Sequence, residues 1–213
     1  YARARRVRMP SPLLRDWALA GSGLLNDRIG GVPVYPYQPD GIWESLAITK
    51  ERDFTYPASH GSDLYRRSLY TFWRRTVSPA NMFDASNRQA CRVRQSPTST
   101  PLHALTTLND PTWVEAARVL AEQCLTQAPT LEEQLQLAFR RIVSRSASEL
   151  DLEVLRRSYD KQLARFTTDR DAALKFLSVG ESTRADSIPS EQHAAFAAVC
   201  LAILNLDEAL SRQ

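Results

Sequence analysis

The chain has 213 residues, of which 43% are hydrophobic and 24% charged. That composition excludes a disordered chain and supports a sizeable core, as one large domain or two small fused ones. The formal net charge of +3 divides into 16 basic against 11 acidic residues over 1–125 and 11 against 13 from 126 onward. Nucleic-acid binders gather basic side chains more densely on one face, so nucleic acid is not an expected partner.

Arginine outnumbers lysine 24 to 3. Guanidinium groups make bidentate, stackable, partly buried contacts that ammonium groups make poorly. A GC-rich genome produces the same bias, so the excess alone defines no site. Cys91, Cys124 and Cys200 are an odd number without close spacing and read as mostly buried thiols. The chain opens on the basic run YARARRVR rather than on methionine, which reads as a fragment of a longer protein. Its longest apolar stretch, 194–204, has eleven residues against the ~20 that a membrane-spanning helix needs. A buried helix is expected there, with no membrane insertion.

Residues 11–25 predict a first helix, with Ser11 as cap, Pro12 in its first turn and Leu13, Trp17, Ala20 and Leu24 facing inward. The segment 26–39 carries Gly30-Gly31, three prolines and two tyrosines, which favours an irregular crossing. A short helix near 41–47 places Trp43 and Leu46 inward. Residues 64–77 read as a strand by aromatic and β-branched content, with a helix nearly as good. Thr100 or Ser99 caps a short helix opening at Pro101, and Asp110-Pro111 opens a longer one to about Thr126.

The rest is more regular. Thr130 to Glu133 and Ser146 to Glu149 have the capping-box spacing, and Thr168 to Asp171 has its aspartate variant. Leu131, Leu135, Ala138 and Ile142 form one apolar face, and Leu152, Leu155, Tyr159, Leu163 and Phe166 form the next. Gly180 stops a third helix. The last helix, 190–211, is apolar on nearly every side and belongs in the middle of the others.

No reactive constellation stands out. Zinc wants four ligands at close spacing, and His60, His103 and His193 have none of the required companions, so no metal is expected. Gly21-Ser22-Gly23 lacks the spacing of a nucleophile elbow. Carboxylates for glycoside hydrolysis would come from Glu44, Asp63, Asp84 and Asp110, whose separations only a structure gives. No catalytic residue and no cofactor is assigned. Ten of the 18 aromatics fall between 34 and 83. Such rings beside arginines and carboxylates hold sugars, peptides or flat ligands, although core filling is the commoner use. The candidate ligand face comprises Tyr65, Arg66, Tyr70, Trp73, Arg75, Asp84 and Arg88.

The strings DLYRRSLYTFWRRT, MFDASNRQACRVR and TPLHALTTLNDPTWVEAARVLAE resemble the planctomycete family called domain of unknown function 1553. LSVGES at 177–182 and LAILNLDEAL at 201–210 extend the likeness over nearly the whole chain. Relatives carry an arginine directly before the T-x-T-P element, whereas Pro97 precedes Thr98 here. The resemblance implies the end of a large exported bacterial protein, hence an extracytoplasmic place, often with an upstream cytochrome-c-like module. It implies no activity, and the chain lacks a C-x-x-C-H haem motif.

The expectation is a single, mainly α domain over 1–213: an irregular aromatic-rich part, 1–125, with at most a short β element, packed on a bundle of four to five helices in 126–213. Its expected role is a non-catalytic interaction or ligand-binding module, with polysaccharide and the upstream parent domains as candidate partners. The alternatives are a carboxylate-dependent hydrolase of polysaccharide and a structural cap for upstream domains.

Overall fold

The computed structural model describes residues 6–42, 56–73, 78–84 and 97–212. These residues are mainly helical and include one short antiparallel pair, β1 (Val7–Arg8) with β2 (Ser211–Arg212), in the register Val7 to Arg212.

Helix α1 (Ser11–Gly21) is capped by Pro10 rather than Ser11, whose hydroxyl instead donates to the Phe83 carbonyl. Its buried face differs from the predicted one. Leu13 is 52% exposed, while Leu14, Arg15, Ala18 and Leu19 are buried. Arg15 causes the rotation: a guanidinium removed from water needs acceptors, and this one donates to the carbonyls of Leu64 (2.6 Å) and Arg66 (2.8 Å). The helix ends short of residue 25 because Gly23 takes φ +74°, which costs a residue without Cβ little.

The 26–39 crossing is irregular, as expected. The strand favoured for 64–77 does not form over the described 64–73. Two 3-10 turns, Gly61–Tyr65 and Ser68–Tyr70, stand there, and single-residue parallel bridges join Asn26 to Arg66 and Val34 to Thr71. The Asp16 carboxylate accepts the Ser68 amide at 2.7 Å, anchoring the second turn where a strand would have run straight. Residues 43–47 of the helix expected near 41–47 lie outside the described residues, as do Arg74, Arg75, Arg88 and Cys91.

Helices α2 (Pro101–Asn109) and α3 (Pro111–Gln127) open as predicted, the side chains of Thr100 and Asp110 accepting the amides of His103 and Thr112. Thr130 caps α4 (Leu131–Val143). The next two starts each fall downstream of the predicted cap. Ser148, not Ser146, caps α5 (Glu149–Thr168), because the Asp151 carboxylate returns a bond to the Ser148 amide and also holds Arg145 at 2.8 Å. Asp169, not Thr168, caps α6 (Arg170–Leu177).

The expected last helix is broken into α7 (Ser190–Leu204) and α8 (Asp207–Leu210). At the break, the Asn205 amide donates to the Leu201 carbonyl at 2.9 Å and its oxygen accepts the Thr107 hydroxyl. A side chain that bonds its own helix end competes with the next turn. As predicted, α7 is central: it packs against α3, α4, α5 and α6. Ala194, Ala195 and Ala197 on α7 and Ala116, Ala117 and Ala121 on α3 are fully buried, so small side chains allow the two axes a close approach.

Phe196 is 0% exposed and meets the Tyr159 ring edge-on at 6.0 Å, whereas Leu150 on α5 is 69% exposed. Phe196→Ala should therefore cost about 3–5 kcal/mol in chemical denaturation, and Leu150→Ala should stay within about 0.5 kcal/mol of the parent.

Candidate functional site

The irregular half is held in place by carboxylates that accept backbone amides. Asp16 takes Ser68 (2.7 Å), Asp84 takes Thr98 (2.6 Å), Asp110 takes Thr112 (2.9 Å), Glu115 takes Ser182 (2.7 Å) and Glu181 takes Gly61 (2.9 Å). Buried arginines supply the reciprocal contact. Besides Arg15, Arg66 donates to the carbonyls of Arg28, Gly30 and Val32, and Arg118 donates to that of Ser182 at 2.7 Å.

Glu115, fully buried on α3, is the centre of this network. Its Oε1 also accepts the Tyr65 hydroxyl at 2.8 Å and its Oε2 the Tyr37 hydroxyl at 3.0 Å, and Arg118, one turn along, stands 3.7 Å away. Burial and the adjoining carboxylate push both tyrosine hydroxyls well above their ordinary range, so both remain donors. The Tyr37 oxygen accepts the Glu181 amide at 3.0 Å, and Glu181 reaches the exposed His60 at 2.6 Å. Its two backbone and imidazole contacts hold the Glu181 carboxyl below the usual range.

A second polar group lies at the start of α2. Asp84 takes φ +58°, a conformation few side chains adopt. Its carboxylate accepts both the amide and the hydroxyl of Thr98. His103 stacks on Phe83 at 4.0 Å and stands 3.9 Å from Asp84, beyond hydrogen-bond reach. A carboxylate, an imidazole and a hydroxyl are thus neighbours; the Thr98 hydroxyl donates to Asp84, and the imidazole makes no hydrogen bond that would orient that carboxylate.

Of the predicted face, Tyr65 and Arg66 are 8% and 2% exposed and point inward. Tyr70 is half-buried; its ring lies 4.1 Å below the Arg66 guanidinium and its hydroxyl accepts the Gly30 amide at 2.9 Å. Trp73 is half-buried, and Asp84 serves the contacts just described. Tyr35, from the crossing, stacks on Phe72 at 4.9 Å and meets Tyr56 edge-on at 5.6 Å. Tyr35, Tyr56 and Phe72 are also half-buried, so an aromatic cluster with one side towards solvent forms where the Val34 bridge joins Thr71.

Sequence reasoning missed Arg15, Tyr37, Glu115, Arg118 and Glu181. Glu115 and Arg118 carried a signal: with Glu122 they put three charges on successive turns of one face of a helix rich in apolar residues. His193 reaches a backbone carbonyl. Its Nε2–H donates to Arg118 at 3.0 Å, and burial pulls its pKa below the ordinary value.

These features define a mainly helical domain whose irregular half is fastened to a helical core by buried charge-to-backbone bonds. The family model described as "Protein of unknown function (DUF1553)" matches residues 1–159, and the chain belongs to that family. Comparison with curated proteins finds no match, and comparison with solved structures finds none either. Among the described residues no helix is long and apolar enough to cross a membrane.

Gly180 has φ +91°, and a Cβ there would run into the buried Glu115 carboxylate. Gly180→Ala should lower stability by about 1–3 kcal/mol in urea denaturation. Because folding lowers the His193 pKa, the unfolded chain takes up that proton first. Stability from this group is complete above about pH 6.5 and is lost as pH falls below it. Denaturation curves at pH 7.5 and 5.5 should show this loss, and His193→Gln should reduce it.

Proposed function

We propose that the chain is a single, non-catalytic ligand-binding or interaction module of an extracytoplasmic, multidomain bacterial protein, with polysaccharide as its ligand class. The half-buried aromatic cluster of Tyr35, Tyr56 and Phe72, neighboured in sequence by Trp73 and Tyr70, carries this reading. Aromatic faces presented to solvent stack on the apolar faces of sugar rings, with polar groups at the edge for orientation. The hydrolase alternative is less well supported. Asp84 and Asp110, two of the carboxylates it would use, are committed to Thr98 and Thr112. The exported, planctomycete setting and upstream domains rest on the resemblance of the MFDASNRQACRVR and TPLHALTTLNDP strings.

One observation favours a second reading, docking against neighbouring domains of the parent. Leu102, Leu105 and Leu108 recur every third residue on α2 and are 71, 55 and 40% exposed. An apolar helix stripe facing water is a common mark of an interaction surface.

Affinity electrophoresis through gels containing neutral or acidic polysaccharides, with a reducing-end assay in parallel, tests the first reading. Retardation by at least one polysaccharide without new reducing ends is expected, and Tyr35→Ala with Trp73→Ala should abolish it while the fold is kept. Mobility unchanged in every gel would overturn it. Release of reducing ends that Asp84→Asn abolishes would establish the hydrolase instead.

A further inference from the structure

A trough runs between α4 and the first turns of α5, remote in sequence from the aromatic cluster and independent of it. Two adjoining cavities of about 530 and 440 Å³ share Glu132 and Leu152. Leu131, Leu135 and Leu152 line one of them and Leu137 the other. This apolar lining is a concave surface of the kind into which a partner's side chains insert.

The rim decides which partner. Glu132, Glu133, Glu149 and Glu153 stand there against Arg140 and Arg156, and all six are exposed. Glu153 is held by Arg157 at 2.7 Å; among the described residues Glu132, Glu133 and Glu149 make no ion pair. The carboxylates of Glu132 and Glu133 lie in the first turn of α4 and that of Glu149 in the first turn of α5, where the helix N-termini favour negative charge. The rim thus sets four carboxylates against two guanidinium groups. An acidic segment meets repulsion here, and a neutral one leaves the rim uncompensated.

We infer that the α4–α5 trough docks a basic amphipathic peptide segment of a partner protein, its apolar side chains seated on Leu131, Leu135 and Leu152 and its lysines or arginines on the glutamate rim. Apolar anchors at helical spacing give the affinity, and the charges select the partner.

The test is fluorescence anisotropy of the whole chain with three labelled 15-residue peptides. One carries leucines on a single helical face with lysines elsewhere, the second replaces the lysines by glutamates, and the third scrambles the lysine peptide. The leucine-lysine peptide should saturate, with the other two at least ~10-fold weaker, a factor that charge complementarity at a rim supplies. Glu132→Gln with Glu149→Gln should weaken it ~5-fold with unchanged circular dichroism. Leu131→Ser, in the lining and partly exposed, should also weaken it with unchanged circular dichroism. Equal binding of the lysine and glutamate peptides, equal binding of the scrambled one, or indifference to the glutamate changes would overturn the inference. So would a concentration-dependent dimer in sedimentation that Leu131→Ser dissociates, since the trough would then belong to a second copy.

Discussion

A carboxylate without access to water must be met by donors, and the requirement at Glu115 shapes the rest of this chain. Its two oxygens gather hydroxyls from Tyr37 and Tyr65 and the amide of Ser182, three positions far apart in sequence. Breaking a buried charged contact of this kind costs several kcal/mol, because the remaining partners stay buried and unsatisfied. The irregular crossing, the first 3-10 turn and the loop after α6 are thereby fixed to one point on α3. Gly180 is required beside that point because a side chain there would occupy the carboxylate's own space.

The same principle extends outward. The first half has little β-ladder: among the described residues, its parallel pairings at Asn26 and Val34 are single bridges. Backbone groups without a ladder partner still need one when buried. Arg15 and Arg66 supply donors to five carbonyls between residues 28 and 66, and Asp16 and Asp84 supply acceptors to amides. Charged groups bond more strongly than neutral ones, and a guanidinium serves several carbonyls at once in a fixed geometry. The arginine-rich composition is thus used in part to hold backbone that has no regular structure of its own.

That use explains what was legible beforehand. Local signals worked where structure is local: the Thr100-Pro101 and Asp110-Pro111 starts, and the all-apolar centre of α7. They slipped by a residue or two at α5 and α6, where the capping oxygen is chosen by whichever neighbour completes the bond, as Asp151 does for Ser148. They found α1 but missed its buried face, and they failed at 64–73, because the fate of Arg15 is set by carbonyls about fifty residues away, and no periodicity encodes such a contact. Arg66 illustrates the same limit within the candidate site: beside Tyr65 and Tyr70 it reads as a ligand contact, yet its guanidinium is turned onto three carbonyls of the chain itself.

The division of labour bears on function. A side chain that fastens backbone is poorly placed to change protonation or to move during a reaction, since either event releases the segment it holds. The carboxylates at Asp84, Asp110 and Glu115 are all of this kind. Surfaces without that duty are different in character: half-buried rings at Tyr35 and Phe72, leucines along α2, and an acidic trough on α4 and α5. Under the proposed binding role, each is a place where another molecule would meet the chain. A frame fixed by internal charges suits that role, because preorganised contacts lose little entropy when a partner arrives.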